Sequence, residues 1–144
     1  MNVPPAFGLD TGVIVAAMRS QTGASRLLLR AALERRFTLL LSVPLLLEYE
    51  AVLSRPEQLA ACGINRTEAG QVLDDLAAVA KAVPVLFRTR PLLPDPADDM
   101  VLEAAVNGGA DALVTFNARD FRLAGREYGC RVLFPIQALR RLRS

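Results

Sequence analysis

The 144-residue chain contains no histidine. Nucleophiles activated by imidazole, as in Ser-His-Asp and Cys-His arrangements, are therefore excluded. The usual zinc sites are excluded too, because they need His or several Cys, and the chain has only two cysteines. Cys62 and Cys130 lie far apart and in no CxxC motif, so two reduced thiols in an intracellular protein are expected. Long apolar runs are also missing. None approaches the ~18–20 residues of a membrane span, and residues 1–9 lack a basic n-region and a long apolar stretch. The expectation is a cytoplasmic protein with no membrane segment. Chemistry is left to carboxylates, hydroxyls, Arg, Lys81 or a bound hard metal ion.

What is present fits one globular domain spanning residues 1–144. The composition is 52% hydrophobic and 22% charged, with a net charge of +2, which argues against disorder. There are no repeats, low-complexity segments or evident linkers. Charge is unevenly placed. Residues 1–41 carry five Arg and two acids (+3), residues 42–111 five bases and eleven acids (−6), and residues 112–144 seven Arg and two acids (+5). Lys81 is the only base that is not Arg. The planar guanidinium fork suits phosphate contacts, although an Arg-rich genome gives the same excess.

Short apolar runs alternate with helical patterns. Residues 6–9, 37–42, 84–87, 112–115 and 131–134 read as strands. Helices are expected over 13–18, 25–35, from Pro44 to about Ser54, over 67–82 with Thr67 as cap, from Asp95-Pro96 to Gly108-Gly109, near 119–124, and over 135–143. Strand–helix alternation implies parallel pairing and an α/β sandwich, and nearly all-apolar strands fit burial on both faces. Ligands of such sheets sit beyond the carboxyl ends of the strands.

Acids gather at that edge. Asp10 follows the first strand, and Glu48 lies in the second turn of the helix after the second. Asp95, Asp98 and Asp99 open the helix after the third strand, and Asn117 and Asp120 follow the fourth. Clustered carboxylates repel unless they share a cation or a proton. Mg²⁺ and Mn²⁺ prefer oxygen ligands, and one or two such ions assist phosphodiester hydrolysis by lowering the pKa of water and offsetting charge on the phosphate. Each acid also has a plainer reading. Asp95 before Pro96 is a good N-cap, Asp10 and Asp120 are possible caps, and the helix dipole alone favours Asp98 and Asp99. At 100° per residue Asp98 shares a face with Val101, Leu102 and Ala105, whereas Asp99 turns to the flank. Glu48 and Glu50 flank the stripe of Leu45, Tyr49 and Val52 on opposite sides, and geometry does not choose between them.

In this order and spacing the residues resemble the PIN-domain family, in particular VapC-like toxins of bacterial toxin–antitoxin pairs, over about residues 8–136. Leu9-Asp10-Thr11 is similar to the family's opening D-T-N, and residues 42–57 (SVPLLLEYEAVLSRPE) carry its acid at Glu48. Asp95-Pro96-Ala97-Asp98-Asp99 matches D-P-x-D-[DN], and residues 108–115 (GGADALVT) match G-G-A-D-x-L-V-T. The resemblance implies a three-layer α/β/α, Rossmann-like sandwich with a parallel sheet of about five strands, and Mg²⁺- or Mn²⁺-dependent endoribonuclease activity. It places Asp10, Glu48 and Asp98 in the acidic triad, and Asp10, Asp98 and Asp99 are the candidate metal ligands. The fourth acidic position falls near Asn117 or Asp120.

Arg119, Arg122 and Arg126 are candidates for the RNA backbone. No aromatic–basic RNA motif is present, so base preference is not legible. The resemblance also implies a small antitoxin partner and a homodimer. Two positions depart from the family pattern: Gly12, where Asn is usual, and Asn117, where many relatives carry Asp. They motivate an alternative, a weakened or non-catalytic nucleic-acid- or protein-binding module on the same fold. A DNA nuclease is a further alternative, because a carboxylate–metal site does not itself distinguish ribose from deoxyribose.

Overall fold

The computed structural model describes residues 3–88 and 96–142. In chain order the elements are β1 (Ala6–Leu9), α1 (Thr11–Arg19), α2 (Ala24–Leu33), β2 (Thr38–Leu41), α3 (Val43–Leu53), α4 (Pro56–Cys62), α5 (Arg66–Val79), β3 (Lys81–Ala82), α6 (Pro96–Gly108), β4 (Ala112–Val114), α7 (Ala118–Glu127), β5 (Arg131–Leu133) and α8 (Pro135–Arg141). The five strands form one sheet in the order β3-β2-β1-β4-β5. Every pairing is parallel, with Phe7 opposite both Leu39 and Ala112. The chain winds outward from β1 to β3, returns to place β4 beside β1, and ends at β5. The winding direction therefore reverses between β1 and β4, which is where an open parallel sheet forms its crevice.

Burial of the strands explains the sandwich. Successive strand side chains point to opposite faces, yet Phe7, Gly8 and Leu9 are all buried, as are Leu39, Leu40 and Leu41. Helices must therefore cover both faces, as the all-apolar strands imply. On one face α6 packs against β1, β2 and β4. Gly8 allows the close approach, since a Cβ there would sit 3.4 Å from the Ala105 Cβ. Gly108, at the other end of α6, does the same over β2, where a Cβ would meet Leu40 at 2.8 Å. Phe7 tilts against Phe37 with ring centroids 5.0 Å apart, and Tyr49, Phe121, Leu28 and Leu76 are fully buried within the core. Each such side chain contributes about 1.5–3 kcal/mol by leaving water.

Three local expectations need correction. The third strand is Lys81–Ala82, not 84–87. Val83 still donates to the Leu41 carbonyl at 3.0 Å, but Pro84 has no N–H with which to continue the ladder. Beyond it the Asn107 side chain takes over, accepting from the Leu86 and Phe87 amides at 3.0 and 2.8 Å. The cap of α5 is Asn65, not Thr67. The Asn65 Oδ1 accepts from the Glu68 amide at 2.8 Å, and the Glu68 carboxylate accepts from the Asn65 amide at 3.1 Å, a reciprocal pair two residues upstream of the expected cap. Pro56 does not simply follow a helix. It opens α4, which Gly63 ends with φ +70°. Asp95 and Arg143 lie outside the described residues.

Two helical glycines provide a paired test. A Cβ at Gly70 in α5 would meet nothing within 4 Å, whereas one at Gly125 in α7 would meet the Cys130 carbonyl oxygen at 2.6 Å. Gly70→Ala is expected to stabilise the fold by about 0.5–1 kcal/mol through helix propensity. Gly125→Ala is expected to destabilise it by about 1–3 kcal/mol through overpacking. Denaturant midpoints at unchanged slope measure both.

Candidate functional site

The site is built where the sheet reverses. Asp10 leaves the carboxyl end of β1, and its amide donates to the Val114 carbonyl at 2.9 Å, tying the end of β1 to the end of β4. Thr115, fully buried one residue beyond β4, donates its hydroxyl to Asp10 Oδ2 at 2.7 Å. The same hydroxyl oxygen accepts from the Asn117 amide at 2.9 Å. One hydroxyl thus holds the half-buried Asp10 carboxylate and the turn that starts α7. Asp10 occupies the N-cap position of α1, but its side chain makes no capping bond. Its carboxylate is held across the switch point rather than over its own helix.

On the opposite side of Asp10, Tyr49 of α3 is fully buried and donates its hydroxyl to the Leu9 carbonyl. Burial, and secondarily the negative charge of Asp10, push the phenol far above its ordinary value. Tyr49 therefore remains a neutral donor and fixes α3 to the end of β1. Its neighbour Glu48 is half-buried, whereas Glu50 is exposed and lines a different groove, between α3 and α5, with Arg66 and Asp74. The two acids that the sequence pattern left tied thus differ in burial and surroundings.

α6 delivers its acids to the same edge through its packing on β1 and α3. Asp98 is 8% exposed, as the inward face predicted. Asp99 was expected on the flank, yet it is only 1% exposed. α6 packs against α3 as well as against β1, β2 and β4, so it has neighbours beyond the sheet. Four residues on, Glu103 is likewise 1% exposed, and sequence reasoning missed it. The spacing of Asp99 and Glu103, one helical turn on one face, was the available signal. A buried carboxylate needs hydrogen bonds or opposite charge, and Asp98, Asp99 and Glu103 all have partners.

Asn117 and Asp120 form a separate, exposed pair. The Asn117 Nδ2 donates to Asp120 Oδ2 at 2.6 Å, and neither side chain caps α7. The structure thus connects the Asn117 backbone, but not its amide side chain, to Asp10. Arg119, Arg122 and Arg126 project from the exposed face of α7, whose other face buries Phe121, Ala124 and Gly125. Thr115 and Tyr49 were read from the sequence only as parts of a motif and a core stripe. Their hydroxyls prove to hold the first turn of the site.

The donor set is entirely hard oxygen, which fits Mg²⁺ or Mn²⁺ and excludes soft-metal chemistry. Among the described residues no three acidic side chains form a group that could hold a metal ion. Mg²⁺ does not require one, since it is commonly bound through one or two carboxylates with waters and substrate phosphate completing its shell. Asp10 leaves the carboxyl end of β1, and Asp98 and Asp99 lie in the first turn of α6.

Comparison with known proteins gives one family match. The sequence model of a family described as PIN domain matches residues 7–119, a span that includes Asp10, Glu48, Asp98, Asp99, Thr115 and Asn117. No curated protein matches the chain.

The Tyr49 bond yields a pH prediction. A phenol with a raised folded-state pKa keeps its proton in the native state, while the unfolded chain releases it near the ordinary tyrosine value of about 10. Its contribution to stability is therefore complete below pH 10 and declines above it, by up to ~1.4 kcal/mol per pH unit. Tyr49→Phe should remove that component of the alkaline decline and cost about 1–3 kcal/mol at neutral pH, because the Leu9 carbonyl is left unpaired. Unfolding free energies of both proteins from pH 7 to 11 give the comparison.

Proposed function

Because the chain belongs to the PIN-domain family, whose members are generally nucleases, we propose that it is a metal-dependent endoribonuclease and the toxin of a toxin–antitoxin pair. The observation that carries this reading is the Asp10 carboxylate held by Thr115 at the sheet's switch point, beside the buried acids of α6. No described helix is long and apolar enough to cross a membrane, and we place the activity in the cytoplasm with RNA as substrate. A small antitoxin and a second copy of the chain complete the proposed assembly.

In this mechanism Asp10, Asp98 and Asp99 would hold Mg²⁺ or Mn²⁺. The ion, when bound, lowers the pKa of water and offsets the charge developing on the phosphate. Glu48, on the half-buried flank of α3, orients water at the scissile bond. Thr115 keeps Asp10 in one orientation, which spares the site reorganisation as charge develops. The Asn117–Asp120 pair borders the opening, and Arg119, Arg122 and Arg126 meet the substrate backbone.

One observation favours the weakened-enzyme alternative. Gly12, next to Thr11 at the start of α1, is exposed, and a Cβ there would meet nothing within 4 Å. The backbone accepts a side chain at this position, so a contact to substrate or ion is absent rather than sterically forbidden. In that reading Gly12→Asn raises activity and leaves the fold intact.

The decisive measurement is cleavage of single-stranded RNA, with single-stranded DNA alongside, in Mg²⁺ or Mn²⁺ and in EDTA. Asp10→Asn and Asp98→Asn should each lower the RNA rate by on the order of 100-fold or more. Either ion should also raise the melting temperature of the wild type by mass action. Cleavage that persists in both variants, or in EDTA, would sink the assignment. DNA cut as fast as RNA would reassign the substrate.

A further inference from the structure

A groove of about 370 Å³ runs between α7 and the β5–α8 segment, lined by Ala118, Arg122, Gly125, Arg126, Cys130, Arg131, Val132, Phe134 and Gln137. It begins at the carboxyl edge of the sheet, where Ala118 opens α7 and Phe134 follows β5, and descends to Arg131 at the start of β5. The span of α7 from Ala118 to Arg126 is about 12 Å at 1.5 Å per residue. Gly125 makes the groove's floor, because the absent side chain lets α7 lie directly on the Cys130 carbonyl.

Three guanidinium groups line this groove, and no Asp or Glu does. Among the described residues, none of Arg122, Arg126 and Arg131 is paired with a carboxylate. Burial pushes the Cys130 thiol up, so the floor supplies no anion either. Like charges converging without a counter-ion raise one another's energy, and a polyanion relieves the repulsion. Phe134, which lines the groove, is 43% exposed, and Phe116, outside the lining, is 54% exposed. They follow β5 and β4, which are neighbours in the sheet.

We propose that this groove seats a single-stranded RNA segment leaving the site, with Arg122, Arg126 and Arg131 on successive phosphates and Phe134 stacked on a base. The proposal rests on the nuclease reading above and adds to it a track, a strandedness and two residues, Arg131 and Phe134. A basic groove with aromatic platforms is the arrangement that binds single strands, whereas the bases of a duplex are already stacked on one another. An acidic protein segment would answer the charge of the groove but not its exposed ring.

The test uses the 144-residue wild-type chain in EDTA, where binding is read without cleavage. Fluorescence anisotropy is measured with a labelled 12-nucleotide single-stranded RNA and with its duplex, across salt concentrations. The single strand should bind more tightly than the duplex. Arg126→Ala combined with Arg131→Ala should weaken single-strand binding at least tenfold at low salt. It should also reduce the slope of log affinity against log salt by about 1.4, two phosphate contacts' worth for a single strand. The corresponding double Lys variant should retain the slope, which separates lost charge from lost fold. Phe134→Ala should weaken binding about tenfold with the slope unchanged. Unchanged affinity and slope in the double Ala variant, equal binding of the duplex, or displacement of the RNA by polyglutamate at equal charge would each overturn the groove assignment. Failure of the nuclease reading is distinguishable: it appears as absent cleavage in Mg²⁺ and Mn²⁺ while these binding results stand.

Discussion

The hydrogen bond from Thr115 to Asp10 joins the two strands between which the sheet changes direction. A parallel sheet that winds one way and then the other leaves a crevice at the reversal, but the crevice alone positions nothing. Here the backbone bond from the Asp10 amide to the Val114 carbonyl sets the ends of β1 and β4 level. The Thr115 hydroxyl then fixes the carboxylate at that level and accepts the first free amide of the next turn. Tyr49 does the corresponding work from the other side by holding the Leu9 carbonyl. Two buried hydroxyls, each fully satisfied, therefore set the direction in which the only carboxylate on β1's exit points. Their burial matters energetically, since a polar group removed from water costs free energy unless it is paired, and pairing in one geometry excludes the others.

Much of this architecture was legible in the sequence. All five parallel strands, with four of their positions, the helical alternation and the acids at the carboxyl edge follow from apolar runs punctuated by Pro, Gly and Asp. What escaped has physical reasons. The third strand is two residues long and lies at the sheet edge, so its side chains are exposed and carry no apolar signature, while the more apolar residues 84–87 begin with a proline that cannot pair. Asn65 was passed over for Thr67 because a reciprocal cap depends on Glu68 three residues on, not on the identity of one residue. Asp99 and Glu103 were not read as buried because helical phase predicts only the face toward the sheet. It does not anticipate a second neighbour such as α3, against which α6 also packs. The hydroxyls of Thr115 and Tyr49 were hidden for a related reason: their partners lie 105 and 40 residues away in the chain.

The absence of histidine and the uneven charge belong to the same arrangement. Buried carboxylates on α6, a fixed Asp10 and half-buried Glu48 place acidity in the interior of the carboxyl edge, and the absent imidazole leaves that centre purely oxygen. The guanidinium groups of α7 and β5 lie outside it. A polyanion meeting such a surface is attracted over the rim by charge and repelled at the centre unless a cation intervenes. In the proposed nuclease this opposition would separate affinity from chemistry: the arginines would hold a backbone whatever occupies the centre, and the acids would act on it only once their charge is offset.

That separation also explains why Gly125 matters beyond packing. A helix that stood further from β5 would still display Arg122 and Arg126, but as isolated surface charges screened by salt over about a Debye length. With no side chain at Gly125, α7 settles onto the Cys130 carbonyl and brings its arginines beside Arg131, and the three charges share one groove. Convergence of that kind joins two separate elements, α7 and β5, and no local sequence motif encodes it.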